Sequence, residues 1–220
     1  MAVPTIYQIY QRLFQVYGPQ HWWPGETPFE VMVGAILTQN TSWTNVERAI
    51  ANLKRQKALS AARIVALPHK RLARLLTPAG YFNVKATRLK NFCCWYESEG
   101  GGRKLQRLPT IDLRRHLLGV NGIGPETADD ILLYAFNRPV FVIDAYTRRL
   151  FTRLGVIAGE QSYETLRALF ERKLSRVKYK ETLFNEYHAL IVHHAKYFCR
   201  TKPLCRECCL RRRCQSAELE

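Results

Sequence analysis

The sequence predicts an all-α fold. Apolar residues recur three or four positions apart in most segments of the chain, as they do on the buried face of an amphipathic helix. The apolar run at residues 140–143 is the best candidate for a strand, and it is too short to propose a sheet. The chain also contains no repeat with a period of 20–50 residues. We therefore expect a succession of short helices.

The first strong helix start lies at Thr27. This residue can cap the helix, Pro28 suits the first helical position, and Glu30 completes a capping box. A second helix is expected to begin near Ser42 or Thr44. Further helices are predicted at residues 60–67, 69–76, 84–97, 111–118, 126–136, 144–154, 163–174 and 181–197.

The charge of the chain is strongly positive. Its 34 Lys and Arg residues outnumber its 18 Asp and Glu residues, which gives a formal net charge of +16 at pH 7. This excess indicates a polyanionic partner, either nucleic acid or an anionic membrane surface. No stretch of 18 or more apolar residues is present, so no membrane-spanning helix is expected. The first residues lack the pattern of a signal peptide, so we expect a cytoplasmic protein, or a nuclear one in a eukaryote, without disulfides.

A glycine-rich turn lies between two predicted helices. Gly122 and Gly124 flank Ile123, which can anchor the turn in the core, and glycine lets the backbone approach a ligand closely. Free N–H groups at the start of the next helix point outward at its positive end. This combination can bind a DNA phosphate without reading sequence, although an ordinary turn between helices also accounts for the glycines. The fuller pattern, with Thr127 and Ala128, resembles the helix-hairpin-helix of DNA repair proteins.

Asp144 directly follows the apolar run at residues 140–143 and precedes an amphipathic helix. The ordinary role of an aspartate in this position is to cap the helix that begins at Ala145. A capping carboxylate stays ionised, because the helix N-terminus favours the anion. An ionised carboxylate that faces a flipped nucleotide can also stabilise an oxocarbenium-like sugar and activate water. Asp144 is therefore a cap, a catalytic group, or both.

The hairpin and Asp144 together resemble the endonuclease III superfamily of DNA glycosylases. Residues 34–41 are similar to the early helix and wedge loop of that family, and residues 188–191 with the final cysteines are similar to its C-terminus. The resemblance covers nearly the whole chain. It implies that Asp144 is the catalytic acid and that Gln39 enters the gap left by the flipped base.

The resemblance also implies an architecture of two helical lobes. One lobe is a six-helix barrel with the helix-hairpin-helix, at residues 22–134. The other joins residues 1–21 to residues 135–220 and carries an iron–sulfur cluster. Double-stranded DNA with a damaged base would cross the groove between the lobes, and a monomer suits this fold.

Position 126 separates two branches of the family. Members that also cut the DNA strand carry a lysine there, which attacks the sugar and forms a Schiff base. This chain has Glu126, and a carboxylate cannot form an imine. We therefore expect water to be the nucleophile, with Glu126 in the catalytic region and without AP lyase activity. The alternative is that Lys85, Lys196 or another lysine substitutes from elsewhere.

Four cysteines near the end of the chain predict a metal site. In a reducing compartment such a group of thiolates indicates a metal, and the spacing alone does not exclude zinc or plain reduced thiols. The resemblance favours a [4Fe–4S] cluster, although the first gap is one residue shorter than is usual in the family. Cys209 is an extra member, and Cys93 with Cys94 are expected to be packing residues on a helix. The predicted ligands are Cys199, Cys205, Cys208 and Cys214.

Basic residues surround the predicted ligands. They form either a solvated charge run or, in a DNA-binding chain, a set of phosphate contacts. Arg200 and Lys202 are the two that we assign to DNA binding. The others are Arg206, Arg211, Arg212 and Arg213.

Aromatic residues flank the wedge loop. A tryptophan is most often a core residue, but an alkylated purine carries positive charge and stacks well on an electron-rich indole. We assign Trp22 and Trp43 as a stacking pair, with Pro24 as a pocket wall. Residues 22–41 and 78–86 are similar to the 3-methyladenine glycosylase branch of the superfamily, which also has Glu at position 126 but lacks the cysteine cluster in the members considered.

These expectations lead to one preferred function. The chain is expected to be a monofunctional DNA glycosylase of base excision repair that acts on an alkylated purine such as 3-methyladenine. One alternative is an oxidised-pyrimidine glycosylase of the endonuclease III type with AP lyase activity, against which Glu126 argues. The other is a non-enzymatic helix-hairpin-helix DNA-binding protein, against which Asp144 argues.

Overall fold

The computed structural model describes residues 3–22 and 25–217. Within these ranges all regular secondary structure is helical, which confirms the predicted all-α fold. None of the helices described is both long and apolar enough to cross a lipid bilayer. The α-helices in chain order are α1 (Ile6–Tyr17), α2 (Pro28–Leu37), α3 (Trp43–Arg55), α4 (Ala61–Ala66), α5 (His69–Leu75), α6 (Phe82–Ser98), α7 (Gly102–Leu105), α8 (Thr110–Leu118), α9 (Pro125–Asp130), α10 (Ala145–Arg153), α11 (Tyr163–Lys173) and α12 (Lys180–Tyr197).

Most helices begin and end within two residues of their predicted bounds. The stretch predicted as one helix at residues 126–136 is divided, because α9 continues into a π-helical segment at Ile131–Ala135. Short 3-10 turns lie at Thr77–Ala79, Cys205–Glu207 and Arg211–Arg213.

Two local predictions were partly wrong. Thr27 accepts a hydrogen bond from the Glu30 N–H at 3.2 Å, but the Glu30 carboxylate pairs with Lys54 at 2.9 Å and completes no capping box. Glu30 is buried, and a buried carboxylate requires a partner of opposite charge. Of the two cysteines predicted to pack in α6, Cys93 is fully buried whereas Cys94 is exposed.

The chain forms two units, of which the first contains residues 1–22 and 139–220. In this unit α12 packs against α1 and α10. The Tyr187 hydroxyl of α12 donates to the Ile6 carbonyl at 2.6 Å, so the N-terminal helix is tied to the C-terminal half of the chain. Aromatic rings with centroids 4.7–6.2 Å apart form the core, namely Phe141, Phe151, Phe170, Phe184 and Tyr187.

Two arginines of α10 fasten it to the end of α12. The Arg149 guanidinium donates to the Ala195 carbonyl at 3.0 Å and to the Cys199 carbonyl at 2.8 Å. Arg153, one turn later, donates to the Arg200 carbonyl at 2.6 Å. These bonds satisfy the Ala195 carbonyl in the last turn of α12, which has no partner within the helix, and two carbonyls in the segment that follows it. The segment that carries the cysteines is therefore positioned by α10.

The second unit contains residues 23–138. Its central helix is α2, which contacts α3, α6, α9 and the π-helical segment. The helices α8 and α9, which flank the glycine-rich hairpin, are joined by a buried ion pair. Arg114 donates to the two carboxylate oxygens of Asp129 at 2.7 and 3.1 Å. Because a bidentate pair restricts both partners, it holds the two helices in one orientation around the hairpin.

Candidate functional site

Asp144 lies where a buried extended segment becomes a helix. Residues 140–143 are almost fully buried, and Asp144 is the N-cap of α10. Its carboxylate accepts a hydrogen bond from the Thr147 N–H at 2.7 Å. The predicted capping role is therefore present, and the apolar run places the carboxylate at the positive end of α10.

His188 is the second neighbour of this carboxylate. Its Nε2 lies 3.4 Å from the Asp144 Oδ2, and both side chains are mostly buried. Burial on its own raises the pKa of Asp144, but the contact with His188 and the hydrogen bond from Thr147 outweigh it and lower the pKa below its usual value. Asp144 is thus an ionised carboxylate at neutral pH in a poorly hydrated position. The Trp22 ring lies 5.7 Å from the His188 ring, so an aromatic side chain borders the same pair.

The hairpin in the second unit has the form that its glycines predict. Gly122 has φ of +95°, and a Cβ added there would overlap the Cγ of Arg88. Ile123 is buried and anchors the turn. Gly124 is the N-cap of α9 with φ of −90°, and a Cβ added there would meet no atom within 4 Å. Glycine is therefore required at Gly122 by the backbone and by packing, but not at Gly124.

Gln39 is bound to this hairpin. Its Nε2 donates to the Gly122 carbonyl at 3.1 Å and to the Thr127 hydroxyl at 2.9 Å. Its Oε1 accepts a hydrogen bond from Arg88 of α6. All the hydrogen-bonding groups of the Gln39 amide are thus engaged within the second unit. The structure thus brings together three predicted residues, Gln39, Gly122 and Thr127, and adds Arg88, which was not predicted, as a further partner of Gln39.

The four predicted metal ligands share one cavity. Cys199, Cys205, Cys208 and Cys214 all line it, whereas Cys209 is not among the described residues that do. Burial raises the pKa of the Cys208 thiol to about 12. The Arg153 guanidinium lies 3.4 Å from the Cys199 sulfur.

Tyr17 and His194 lie beside these cysteines. His194 is fully buried and lines the same cavity. Its Nε2 is 3.5 Å from the Cys208 sulfur, and its Nδ1 is 2.8 Å from the Tyr17 hydroxyl. Burial is the main reason that the pKa of His194 falls to about 4, so the ring is neutral at physiological pH.

Basic side chains line an open pocket next to the cysteine cavity, and Cys208 lines both. This pocket has a volume of about 1010 Å³ and lies against the polar face of α1. Of the predicted basic residues, Arg200 and Lys202 are exposed and lie outside it. The arginines that line it are Arg12, Arg206, Arg211, Arg212 and Arg213.

The sequence profile of the HhH-GPD superfamily base excision DNA repair proteins matches residues 33–176, which is more than half of the chain. The chain belongs to this superfamily. A putative DNA repair glycosylase of Methanocaldococcus jannaschii is 49% identical to it over 214 residues, and the match covers 96% of each protein. The predicted membership of an endonuclease III-like superfamily is confirmed.

Two solved structures have the same fold as this HhH-GPD protein. The 3-methyladenine DNA glycosylase of H. pylori, bound to 1,N6-ethenoadenine, matches with a TM-score of 0.76 and 27% identity, covering 86% of this chain and 96% of its own. An endonuclease III–DNA complex matches with a TM-score of 0.80 and 21% identity, covering 96% and 94% of the two chains. At this lower identity the second match shows a common fold alone.

The residues predicted to bind a flipped base are distributed over both units of the HhH-GPD chain. Trp22 belongs to the first unit, beside His188, and is half-buried. Trp43 belongs to the second unit, where its indole packs on Gly34 so closely that a Cβ there would lie 3.0 Å from the ring. Trp43 is also half-buried, so it is not a simple core residue. Pro24 lies outside the described residues.

The structure also places Glu126 and the two lysines that were named as substitute nucleophiles. Glu126 is exposed in the first turn of α9. Lys85, proposed as a substitute nucleophile, is fully buried and donates to the Ala79 carbonyl at 2.6 Å. Burial lowers the pKa of Lys85 to about 8, but the amine is enclosed within the second unit. Lys196 is exposed on α12. Of the two lysines, only Lys196 is exposed to solvent.

Sequence reasoning missed several residues that surround the predicted ones. Nothing in the sequence around Arg88 predicts its hydrogen bond to Gln39, because the two residues lie 49 positions apart. His188 lies in a segment that is similar to the family's C-terminus. That similarity did not predict its proximity to Asp144, because the proximity depends on the packing of α10 against α12. Tyr17 and His194 are 177 positions apart. Residues of these types are common in helices, and only the fold identifies their partners.

Replacement of Gly122 by alanine tests the hairpin geometry. We expect Gly122→Ala to lower the free energy of unfolding by about 1–3 kcal/mol, because φ of +95° is strained for alanine and the new Cβ displaces Arg88. Affinity for undamaged duplex DNA should fall as well. Gly124→Ala is the matched control for stability and should keep the wild-type free energy of unfolding, because a Cβ there meets no atom within 4 Å. Thermal unfolding measures the stability of both variants and a titration with labelled duplex measures the affinity of Gly122→Ala. Equal free energies of unfolding for the two variants would contradict the assignment.

Proposed function

We propose that this protein is a monofunctional DNA glycosylase that acts as a monomer and hydrolyses the N-glycosidic bond of a flipped, alkylated purine in double-stranded DNA. The observation that carries the proposal is the Asp144 carboxylate. It lies at the N-terminus of α10, 3.4 Å from His188 and 2.7 Å from the Thr147 N–H, and its pKa is lowered despite its burial. The superfamily to which the chain belongs consists of base excision DNA repair proteins.

The proposed reaction uses the charge of Asp144. When the bond between C1′ of the sugar and the base nitrogen breaks, the electron pair leaves with the base and the sugar gains positive charge. A nearby carboxylate stabilises that charge, and its effect is large because few waters screen it. Water then attacks C1′ and gives a proton to Asp144. A cationic alkylpurine departs as a neutral base, so it requires no separate acid.

Replacement of Asp144 by asparagine tests this role. We expect Asp144→Asn to slow base release at least about 100-fold in single-turnover assays, because the amide has no charge to stabilise the sugar cation. Asparagine is as good an N-cap as aspartate, so the melting temperature and duplex affinity should change little. Ser162→Ala is a control in the same unit, since it removes the cap of α11 without touching the carboxylate. A wild-type rate for Asp144→Asn would exclude Asp144 from the chemistry and favour a non-enzymatic binding protein.

The absence of a lysine at position 126 supports the monofunctional assignment. We expect sodium borohydride to trap no covalent complex efficiently on DNA that contains an abasic site, because Glu126 cannot form an imine and Lys85 is enclosed. Gel electrophoresis after reduction measures the complex. A glycosylase known to act through a Schiff base serves as the positive control. Efficient trapping that persists in Lys196→Ala and in other surface lysine variants would overturn the assignment.

Trp22 supports an aromatic base pocket near the carboxylate, because its ring borders His188. A flat cation stacks favourably on an indole face. The structural match to the H. pylori 3-methyladenine DNA glycosylase points to the same substrate class. We assign Trp43 as the second stacking residue, and the residues that bind DNA as Gln39, Gly122, Ile123, Gly124, Thr127, Arg200 and Lys202.

The substrate assignment is tested with two lesions. We expect release of 3-methyladenine to be faster than release of thymine glycol, because alkylation makes the base a better leaving group. One stacking face contributes about 1–3 kcal/mol per base. The loss of that face in Trp22→Ala or in Trp43→Ala should therefore slow release about 5- to 150-fold. Trp95→Ala, which removes a half-buried tryptophan of α6, is the matched control. Chromatography of the free bases gives the rates.

Melting temperatures of the same variants separate binding from packing. A large loss of stability in Trp43→Ala with an unchanged rate would assign Trp43 to the core. Thymine glycol release without alkylpurine release would instead favour the oxidised-pyrimidine glycosylase.

We also propose that Cys199, Cys205, Cys208 and Cys214 hold a [4Fe–4S] cluster. The four thiols surround one cavity. Four thiolates are the usual ligands of such a cluster, each bound to a different iron. Among the described residues, no three His, Cys, Asp or Glu side chains form a group that could hold a single metal ion.

The bound group would supply a positive centre that stabilises the thiolates and crosslinks the segment that follows α12. Burial raises the pKa of the Cys208 thiol, so positive charge from the bound group would favour its thiolate form. We expect anaerobically purified protein to contain about four irons and equivalent labile sulfide per chain, with broad visible absorption. Cys209→Ala should retain the iron, whereas Cys208→Ala should lose it. Stoichiometric zinc without iron would contradict the cofactor.

A further inference from the structure

Four side chains form a continuous series of polar contacts that ends at Cys208. The Tyr17 hydroxyl, at the end of α1, lies 2.8 Å from Nδ1 of His194. Nε2 of the same imidazole lies 3.5 Å from the Cys208 sulfur. On the far side, the Cys209 sulfur lies 3.7 Å from the Tyr17 hydroxyl. All these contacts lie within the first unit.

The direction of each hydrogen bond follows from the chemistry of the groups. A ligand thiolate carries no proton, so the contact at Cys208 requires the proton of His194 to be on Nε2. In a neutral imidazole Nδ1 is then an acceptor, and the Tyr17 hydroxyl must donate to it. The Tyr17 oxygen remains free to accept from the Cys209 S–H. The contacts therefore form a consistent series in which each donor has one acceptor.

Packing holds the two rings in these positions. His194 is fully buried, so solvent does not compete for its nitrogens. The Phe198 ring stacks on both partners, with centroids 5.7 Å from His194 and 5.8 Å from Tyr17. The orientation of the imidazole is thus set by α1, α12 and the residue that follows α12.

We propose that Tyr17 and His194 form a relay that directs a hydrogen bond to the Cys208 sulfur and thereby raises the reduction potential of the bound cluster. This inference rests on the iron–sulfur part of the proposed function. Reduction adds negative charge that is shared with the ligand sulfurs, and a hydrogen bond to a ligand stabilises the more negative state. Tyr17 is a positioning residue, because it acts on the sulfur only through the tautomer of His194.

The experiment compares four variants of the full-length protein purified without oxygen. His194→Leu removes the donor, and His194→Gln keeps an N–H group that can reach the sulfur. Tyr17→Phe removes the hydroxyl that selects the tautomer. The matched control is His193→Gln, which changes the neighbouring histidine that packs on Tyr17 but is not among the described residues lining the cysteine cavity. Iron and sulfide are measured first, followed by the reduction potential in direct voltammetry without DNA.

We expect all four variants to keep the iron content of the wild type. His194→Leu should shift the potential to a more negative value, Tyr17→Phe should shift it less in the same direction, and His194→Gln should recover part of the loss. His193→Gln should leave the potential unchanged. If His194→Leu does not fold, Tyr17→Phe against His193→Gln still tests the relay.

Two results would overturn the relay. The first is an unchanged potential in Tyr17→Phe and in any folded His194→Leu variant with full iron. The second is loss of iron in the His194 variants alone, which would make His194 a ligand rather than a hydrogen-bond donor. Wild-type protein with zinc and no iron would instead refute the cofactor itself, and this outcome is distinguished by the metal analysis that precedes the voltammetry.

Discussion

The packing of α10 against α12 positions both chemical centres of the first unit. At one end, the N-terminus of α10 brings Asp144 to His188 of α12. Farther along α10, Arg149 donates to the carbonyls of Ala195, in the last turn of α12, and of Cys199, the first of the four cysteines. On α12 only six positions, about 9 Å of helix, separate His188 from His194. A displacement of one helix along the other would therefore disturb the carboxylate and the cysteine cavity together.

The positive charge of the chain serves two purposes. Some arginines act inside the fold: Arg88 binds Gln39, Arg114 binds Asp129, and Arg153 binds the segment after α12. Others line the open pocket beside α1 and concentrate positive charge there. The net charge of +16 thus indicates the kind of partner but overstates the area that contacts it. Arginine suits the internal positions because its planar group makes several directed hydrogen bonds at once.

Features with a local cause were predictable from the chain. The Thr27 cap, the helix bounds, the turn at Gly122 and the cap at Asp144 each depend on neighbours within a few positions. Predictions that depended on distant partners were less complete. The carboxylate of Glu30 pairs with Lys54 of another helix, and Cys94 faces solvent although it follows a buried cysteine. A helical pattern identifies a face, but the packing of other helices decides which residues at its margin are covered.

The sequence by itself determined the helical class, the superfamily, the glycine hairpin, the ionisable group at the start of α10 and the four cysteines. Each of these is encoded by residue type and spacing over short distances. Only the tertiary structure decided that His188 flanks Asp144, that Gln39 is held by Arg88 and the hairpin, and that His194 faces Cys208 while Cys209 lies outside the cavity. The partners in the first two pairs are 44 and 49 positions apart, and the relay to Cys208 begins at Tyr17, 177 positions before His194. These contacts depend on how whole helices pack against each other, and local residue preferences do not predict that packing.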